Sequence, residues 1–219
     1  MTDPITVRDE MFCFVDFEST GKHCLFDRLI EVGVILTDGN LVEIARYESL
    51  VDPGELGWSR MEPGGVVAKM HAASGLLDAL ASAGPLPSLR RVELEILALL
   101  AAHPARAVTL AGSGVAAFDM QFIRYQMPRL AEELNYFSHD VGILRRAWRR
   151  AAGSDLVEVN KAKPHRAMVD IDLHLQEARA FKTALELAAA FVATATPEEA
   201  SARLAAFRGE TPAAANLAA

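Results

Sequence analysis

Long apolar runs are absent from this 219-residue chain. No stretch reaches the roughly 18 residues a membrane-spanning helix requires, although 51% of the residues are hydrophobic. That apolar content is enough for a packed core, and the length suits one domain with a helical appendage. Cysteine is nearly absent too: Cys13 and Cys24 lack the spacing of metal ligands, and Cys13, inside an apolar run, reads as a small core residue. Positive charge is in deficit, with 22 Lys and Arg against 29 Asp and Glu for a net charge of −7. This excludes a broad basic surface that coats nucleic acid but leaves room for local contacts to a few nucleotides. The opening residues, MTDPITVRDE, are polar and acidic, so neither a secretory signal nor a transit peptide is expected. The expected compartment is the reducing cytoplasm. No internal repeat is present.

The stretch that carries chemistry is FCFVDFE, Phe12 to Glu18, followed by Ser19-Thr20-Gly21. It reads as a strand with two carboxylates on its far end. Residues two apart in a strand share a face, which places Asp16 and Glu18 side by side, about 7 Å apart along the chain. Their mutual repulsion has no structural purpose on a core strand. A divalent cation would convert it into ligation, because hard cations prefer carboxylate oxygens.

The rest of the chain alternates between the two periodicities. Arg28–Thr37 reads as a second strand, Asp38-Gly39-Asn40 as a hairpin turn, and Leu41–Val51 as a third strand. The segment from Asp52 to Gly65, with two prolines and four glycines, is expected to be loop. One or two short helices broken near Ser74-Gly75 follow, then a helix capped by Ser88 and running to about Ala102. Ala107–Ala111 reads as a buried strand. After it comes a helix with Phe118, Phe122 and Tyr125 on one side, stopped by Pro128, and Asp119 one turn into it. A short strand within Tyr136–Val141, a helix over Gly142–Ala152, a polar linker over 153–164 and a long helix from His165 to about Val192 complete the core. Ala167, Ile171, Leu175 and Ala178 form the buried stripe of that long helix. Thr196, Pro197 and the acidic pair Glu198-Glu199 start a last helix, with Gly209 as its stop. The order implies an α/β fold with a mixed sheet, antiparallel on one side and parallel on the other. Five residues turn a helix by about 500°, so His165 and Asp170 would not share a face were both helical. Their spacing works if Pro164 holds His165 at or before the first turn.

The blocks VDFESTG, AAFDMQFI and HRAMVD, carrying Asp16, Glu18, Asp119, His165 and Asp170, resemble the DEDDh family of 3′-to-5′ exonucleases. Within that family, MHAASGLLDAL from Met70, QMPRL from Gln126 and HRAMVDI are most similar to oligoribonucleases. The resemblance implies an RNase H-like fold, a three-strand antiparallel meander extended by parallel strands and flanked by helices. It divides the chain into an extension (1–10), an exonuclease domain (11–194) and a C-terminal helix with its tail (195–219). It also implies two divalent ions, Mg²⁺ or Mn²⁺, held by Asp16, Glu18, Asp119 and Asp170, with His165 as the general base. Ser19 and Thr20 would then meet the substrate's 3′ end, His71 a phosphate and Ser113 the sugar. The implied substrate is a short single-stranded RNA, with no membrane involved and a homodimer as the assembly. The alternative is a broader exonuclease of the same family acting on DNA or RNA 3′ ends. A third reading is a catalytically silent binding module, against which all five site residues weigh.

Departures from the family pattern fall on substrate grip. Lys22 stands where the family has a wedging leucine, and Val66 where it has a tryptophan. Ser138-His139 replaces the aromatic that the partner subunit contributes. Arg145, Arg146, Arg149 and Arg150 split over two helix faces and read as a solvated or subunit-facing surface. Lys161, Lys163 and Arg166 are better placed to attract phosphate.

Overall fold

A computed structural model describes residues 10–61, 64–105, 107–158 and 165–207. Residues 1–9 of the expected N-terminal extension, Lys161, Lys163, Pro164, the Gly209 stop and the final tail lie outside the described residues, whereas Glu10 begins the first strand. Among the described residues, no helix is long and apolar enough to cross a membrane.

Five strands form one mixed sheet: β1 (Glu10–Ser19), β2 (Leu29–Asp38), β3 (Glu43–Leu50), β4 (Ala107–Gly112) and β5 (Ser138–Asp140), in the order β3-β2-β1-β4-β5. The first three make the antiparallel meander, while β4 pairs parallel with β1 and β5 parallel with β4. Alternation along β1 divides the molecule into two layers. Met11, Cys13, Val15 and Phe17 pack with Val92 and Ile96 of α4 (Leu89–Ala102) and with Phe122 and Ile123 of α5 (Asp119–Gln126). The even-numbered residues Phe12 and Phe14 face the other way, with Val141 of α7 (Val141–Ala152) and Ile171, Leu175 and Ala178 of α8 (Ala167–Ala193). Asp16 and Glu18 continue that even row, so the fold aims both toward α8.

Two glycines permit the close approaches this needs. A Cβ on Gly33 would stand 2.7 Å from Ile171 Cδ1 and 3.2 Å from the Ala167 backbone, so α8 lies directly on β2. Gly112, with φ +143°, brings the turn after β4 against β1, where a Cβ would sit 2.8 Å from the Val15 carbonyl.

The segment expected to be loop contains a helix, α1 (Gly54–Arg60), whose Gly57 is buried against Pro53 and Arg28. Two further helices, α2 (Val66–Ala73) and α3 (Leu76–Ser82), divide at Ser74-Gly75 as expected. Pro128 ends α5 but also begins α6 (Pro128–Glu133), because proline fits the first turn of a helix, where no N–H is needed. Asp119 is the first residue of α5 rather than a turn inside it, and Tyr125 is exposed instead of joining Phe122 in the core.

The chain divides into two compact units, one ending at Ala178 and the next beginning at Arg179, with the boundary inside α8. The second unit holds α9 (Pro197–Phe207). Its start is a capping box: Thr196 Oγ1 accepts from the Glu199 N–H, and Glu199 Oε2 accepts from the Thr196 N–H.

One buried carboxylate sets the head of α8. Glu31, wholly inaccessible on β2, accepts from Arg166 Nε at 2.9 Å, from Arg166 Nη2 at 2.7 Å and from the Ala167 N–H at 2.9 Å. Arg166 is thus committed to Glu31 instead of standing available for phosphate. Removing the acceptor would strand a half-buried guanidinium and a buried N–H at the helix start. Glu31→Ala should therefore cost about 2–4 kcal/mol in urea unfolding, and Glu31→Gln distinctly less. A loss within measurement error for Glu31→Ala would rule out the clamp.

Candidate active site

The polar end of β1 is where the elements meet. Ligand atoms of Glu18, His165 and Asp170 lie within 4.8 Å of one another, from the end of β1, the second residue before α8 and the first turn of α8. His165 has φ +48°, the left-handed conformation, which takes the chain out of helical geometry just before α8 begins. The ring is thereby turned toward Asp170 although the helical rotation between the two positions would separate them. Strained backbone of this kind persists where surrounding structure over-determines it, and the Glu31 clamp one residue on does so here.

Asp16 and Asp119 flank this trio without joining it. Asp16 Oδ1 lies 4.0 Å from His174 Nδ1 on α8. Asp119 comes from the other layer. β4 pairs with β1 only as far as Phe14, and beyond that point the Asp119 carboxylate takes a hydrogen bond from the backbone of Phe17. Burial pushes the Asp119 carboxyl up to about 7, and the charge of Asp140 adds to the rise. Hydrogen bonds from its own backbone and from Phe17 pull the other way.

His71 lies beneath the site, fully buried on α2. Nε2 is 2.9 Å from the Ser19 carbonyl, which can only accept, so this nitrogen carries the proton. Nδ1 is 3.7 Å from Glu18 Oε2, and burial lowers the affinity of the ring for a second proton. Both ring nitrogens thus face protein groups.

Ser19 and Thr20 are also buried and engaged within the protein. Ser19 Oγ donates to the Gly21 carbonyl at 2.6 Å. Thr20 Oγ1 accepts from the Arg28 N–H at 3.0 Å and lies 3.4 Å from Asp27 Oδ1. Ser113 is half-buried at the turn after β4, near Gly142 at the start of α7. Asp140 ties this turn down: its Oδ1 accepts from the Gly114 N–H at 3.1 Å and caps α7 through the Ile143 N–H at 3.2 Å.

Several residues escaped the sequence reading. Glu31 had one signal, a lone charge inside the apolar strand LIEVGVILT. His174 sits one helical turn beyond Asp170, on the same face, and is buried beside Asp16. Gln126 donates through Nε2 to the carbonyls of Cys24 at 2.7 Å and Asp27 at 2.9 Å, fastening the β1–β2 loop to α5. The arginines of α7 are partly neutralised, Arg145 by Glu177 of α8 and Arg149 by Asp155.

No family model matches the chain. Individual relatives do. It is 33% identical over 183 residues to the oligoribonuclease of Corynebacterium diphtheriae, covering 81% of this chain and 84% of that one. It is 31% identical over 212 residues to the oligoribonuclease of Streptomyces avermitilis, covering 94% and 99%. Among solved structures, exonuclease I of Methylocaldum szegediense superposes with a TM-score of 0.61 at 17% identity. The metal-free complex of E. coli exonuclease I with single-stranded DNA does so with a TM-score of 0.59 at 18% identity. These cover 90% and 87% of this chain but only 45% and 43% of their own, and at such identity they establish the RNase H-like exonuclease fold alone. With the identity to the Corynebacterium enzyme spanning most of both proteins, the chain belongs to the oligoribonuclease family and is a 3′-to-5′ exonuclease.

Proposed function

We propose that the chain releases nucleoside monophosphates from the 3′ end of short single-stranded RNA, with Asp16, Glu18, Asp119 and Asp170 holding two divalent ions, Mg²⁺ or Mn²⁺. The observation that carries this reading is the convergence of Glu18, His165 and Asp170 within 4.8 Å. The donor set fits hard cations. Glu18, Asp119 and Asp170 are all buried, and burial raises the Asp119 carboxyl by disfavouring its charged form. A cation among these oxygens would relieve that cost. Bound there, the ions would lower the pKa of a water and stabilise the leaving 3′ oxygen.

The chain's own groups supply orientation and proton transfer. His165 takes the proton from the attacking water, held in place by the backbone turn before α8 and by the Glu31 clamp. His71 acts as a positioning residue: it fixes the Ser19 carbonyl and backs Glu18. Ser19 and Thr20 form the wall against which the 3′-terminal nucleotide ends, and Ser113 approaches its sugar from the turn after β4. A homodimer working in the cytoplasm belongs to the same reading.

Digestion of 5′-labelled RNA and DNA, from dinucleotides to long strands, tests the substrate. Preference for the shortest RNAs is expected. Even processing of DNA or long strands would favour the broader exonuclease, a reading that the exposed Lys22 and Val66 at the grip positions speak for. In the same assay His165→Ala should lower kcat roughly 10²- to 10⁴-fold while metal binding persists, and Asp16→Ala or Asp119→Ala should abolish turnover. Wild-type cleavage by His165→Ala would remove the base assignment.

Titration of Asp119 gives a second check. Its folded carboxyl keeps a proton that the unfolded chain loses near 3.8. The native state therefore binds more protons between about pH 4 and pH 7, and stability falls as pH rises through that window. In chelator, Tm should drop across this range, Asp119→Asn should flatten the slope, and divalent cation should restore Tm at the upper end. A chelated wild type whose Tm is flat across the window would contradict the upward shift of this buried carboxyl.

A further inference from the structure

A half-exposed aromatic stands over the loop that leaves the active-site strand. Phe26 is 50% exposed. The imidazole of His23 lies 4.6 Å from its ring centroid at an interplanar angle of 43°, and the guanidinium carbon of Arg60 lies 5.4 Å from the same centroid. Two elements are therefore needed to build this stack, the β1–β2 loop and the last turn of α1.

Its position follows from the sheet register. Glu18 pairs with Glu31, and Glu31 with Leu50, so the β1–β2 loop and the chain leading to α1 rise from the same end of the sheet as the carboxylates. The Thr20 N–H donates to the Arg28 carbonyl at 2.9 Å, which closes the loop two residues beyond Glu18. The loop is held rigid. Asp27 Oδ2 accepts from the His23 N–H, Gln126 Nε2 reaches the carbonyls on either side of Leu25 and Phe26, and the Phe26 N–H donates to the His23 carbonyl. A large apolar ring kept in water on a fixed loop, with an imidazole and a guanidinium against it, matches one ligand chemistry in particular. A nucleobase offers a flat face for stacking, and its phosphates offer negative charge to Arg60 and the neighbouring Lys22 and Arg28.

We propose that Phe26, with His23 and Arg60 against its ring, is the platform on which a base of the substrate strand upstream of the scissile bond stacks. This rests on the exonuclease reading and adds to it a specificity-determining contact. Because the loop is already fastened, the contact loses little to ordering on binding. It acts on the strand's affinity and leaves the bond-breaking groups alone.

The test is kinetic, on the full chain with a short RNA longer than a dinucleotide. Phe26→Ala should raise KM roughly 5- to 150-fold at unchanged kcat and unchanged Tm, Phe26→Leu should do nearly the same, and Phe26→Trp should restore the wild-type value. Replacing the upstream bases one at a time by abasic residues should, at one position, impose the same rise on the wild type and add nothing to Phe26→Ala. Wild-type KM in Phe26→Ala, or the same penalty from Phe26→Ala on every abasic substrate, overturns the platform. Fluorescence anisotropy with the same RNA separates the two readings. A wild type that binds but does not cleave, with affinity lost in Phe26→Ala, upholds the platform and removes the exonuclease reading. A wild type that neither binds nor cleaves removes both.

Discussion

The buried carboxylate of Glu31 is the contact on which the geometry of this protein turns. It sits directly opposite Glu18 in the β1–β2 register, an arrangement in which two like charges on one face would destabilise the sheet. Glu31 spends its charge on Arg166 and on the first N–H of α8. The repulsion is thereby reduced, and the helix start is pinned above Glu18 in the same stroke. With Gly33 allowing Ala167 and Ile171 to touch the strand, α8 has one height and one rotation. His165 and Asp170 then come within 4.8 Å of Glu18 as a consequence.

What this arrangement leaves is a concentration of buried carboxylates, Glu18, Asp119 and Asp170, at one end of the sheet. Arg145 is matched with Glu177, Arg149 with Asp155 and Arg166 with Glu31. These arginines serve structural carboxylates, and the carboxylates at the end of β1 are kept together at a cost seen most plainly at Asp119. Such a cluster presents carboxylate oxygens already gathered for a hard cation. Pre-organisation of this kind is what metal-assisted phosphodiester cleavage requires. The substrate side is built by different means. The loop beyond Glu18 uses its serine, threonine and aspartate internally, and it offers an aromatic surface to the solvent.

Much of the site was legible because its residues interrupt strong local patterns. Asp16 and Glu18 break an apolar strand, and the α8 stripe of Ala167, Ile171, Leu175 and Ala178 carries the helical period that locates Asp170. Ser88 and Thr196 announce their helices through cap chemistry that the structure reproduces. What stayed hidden depends on contacts between distant segments. The order β3-β2-β1-β4-β5 follows from a parallel pairing of β1 with β4 that no local signal encodes. Helix α1 was masked by Pro53, Gly54 and Gly57, residues that favour turns in isolation, yet Gly57 is small because Pro53 and Arg28 press on it. Tyr125 fits the helical period of Phe122 but meets solvent, since α5 is short and turns into α6 within three residues. Glu31 and His174 read as polar blemishes in apolar segments until the fold places α8 across the strand.

The central claim is that this carboxylate cluster is a two-ion site. Calorimetric titration of Mn²⁺ into the chelator-stripped full chain, with Asp170→Asn alongside, tests it without reference to turnover. The account predicts two ions bound per wild-type chain and the loss of at least one in Asp170→Asn. No binding to the wild type, or binding that Asp170→Asn leaves unchanged, would contradict it.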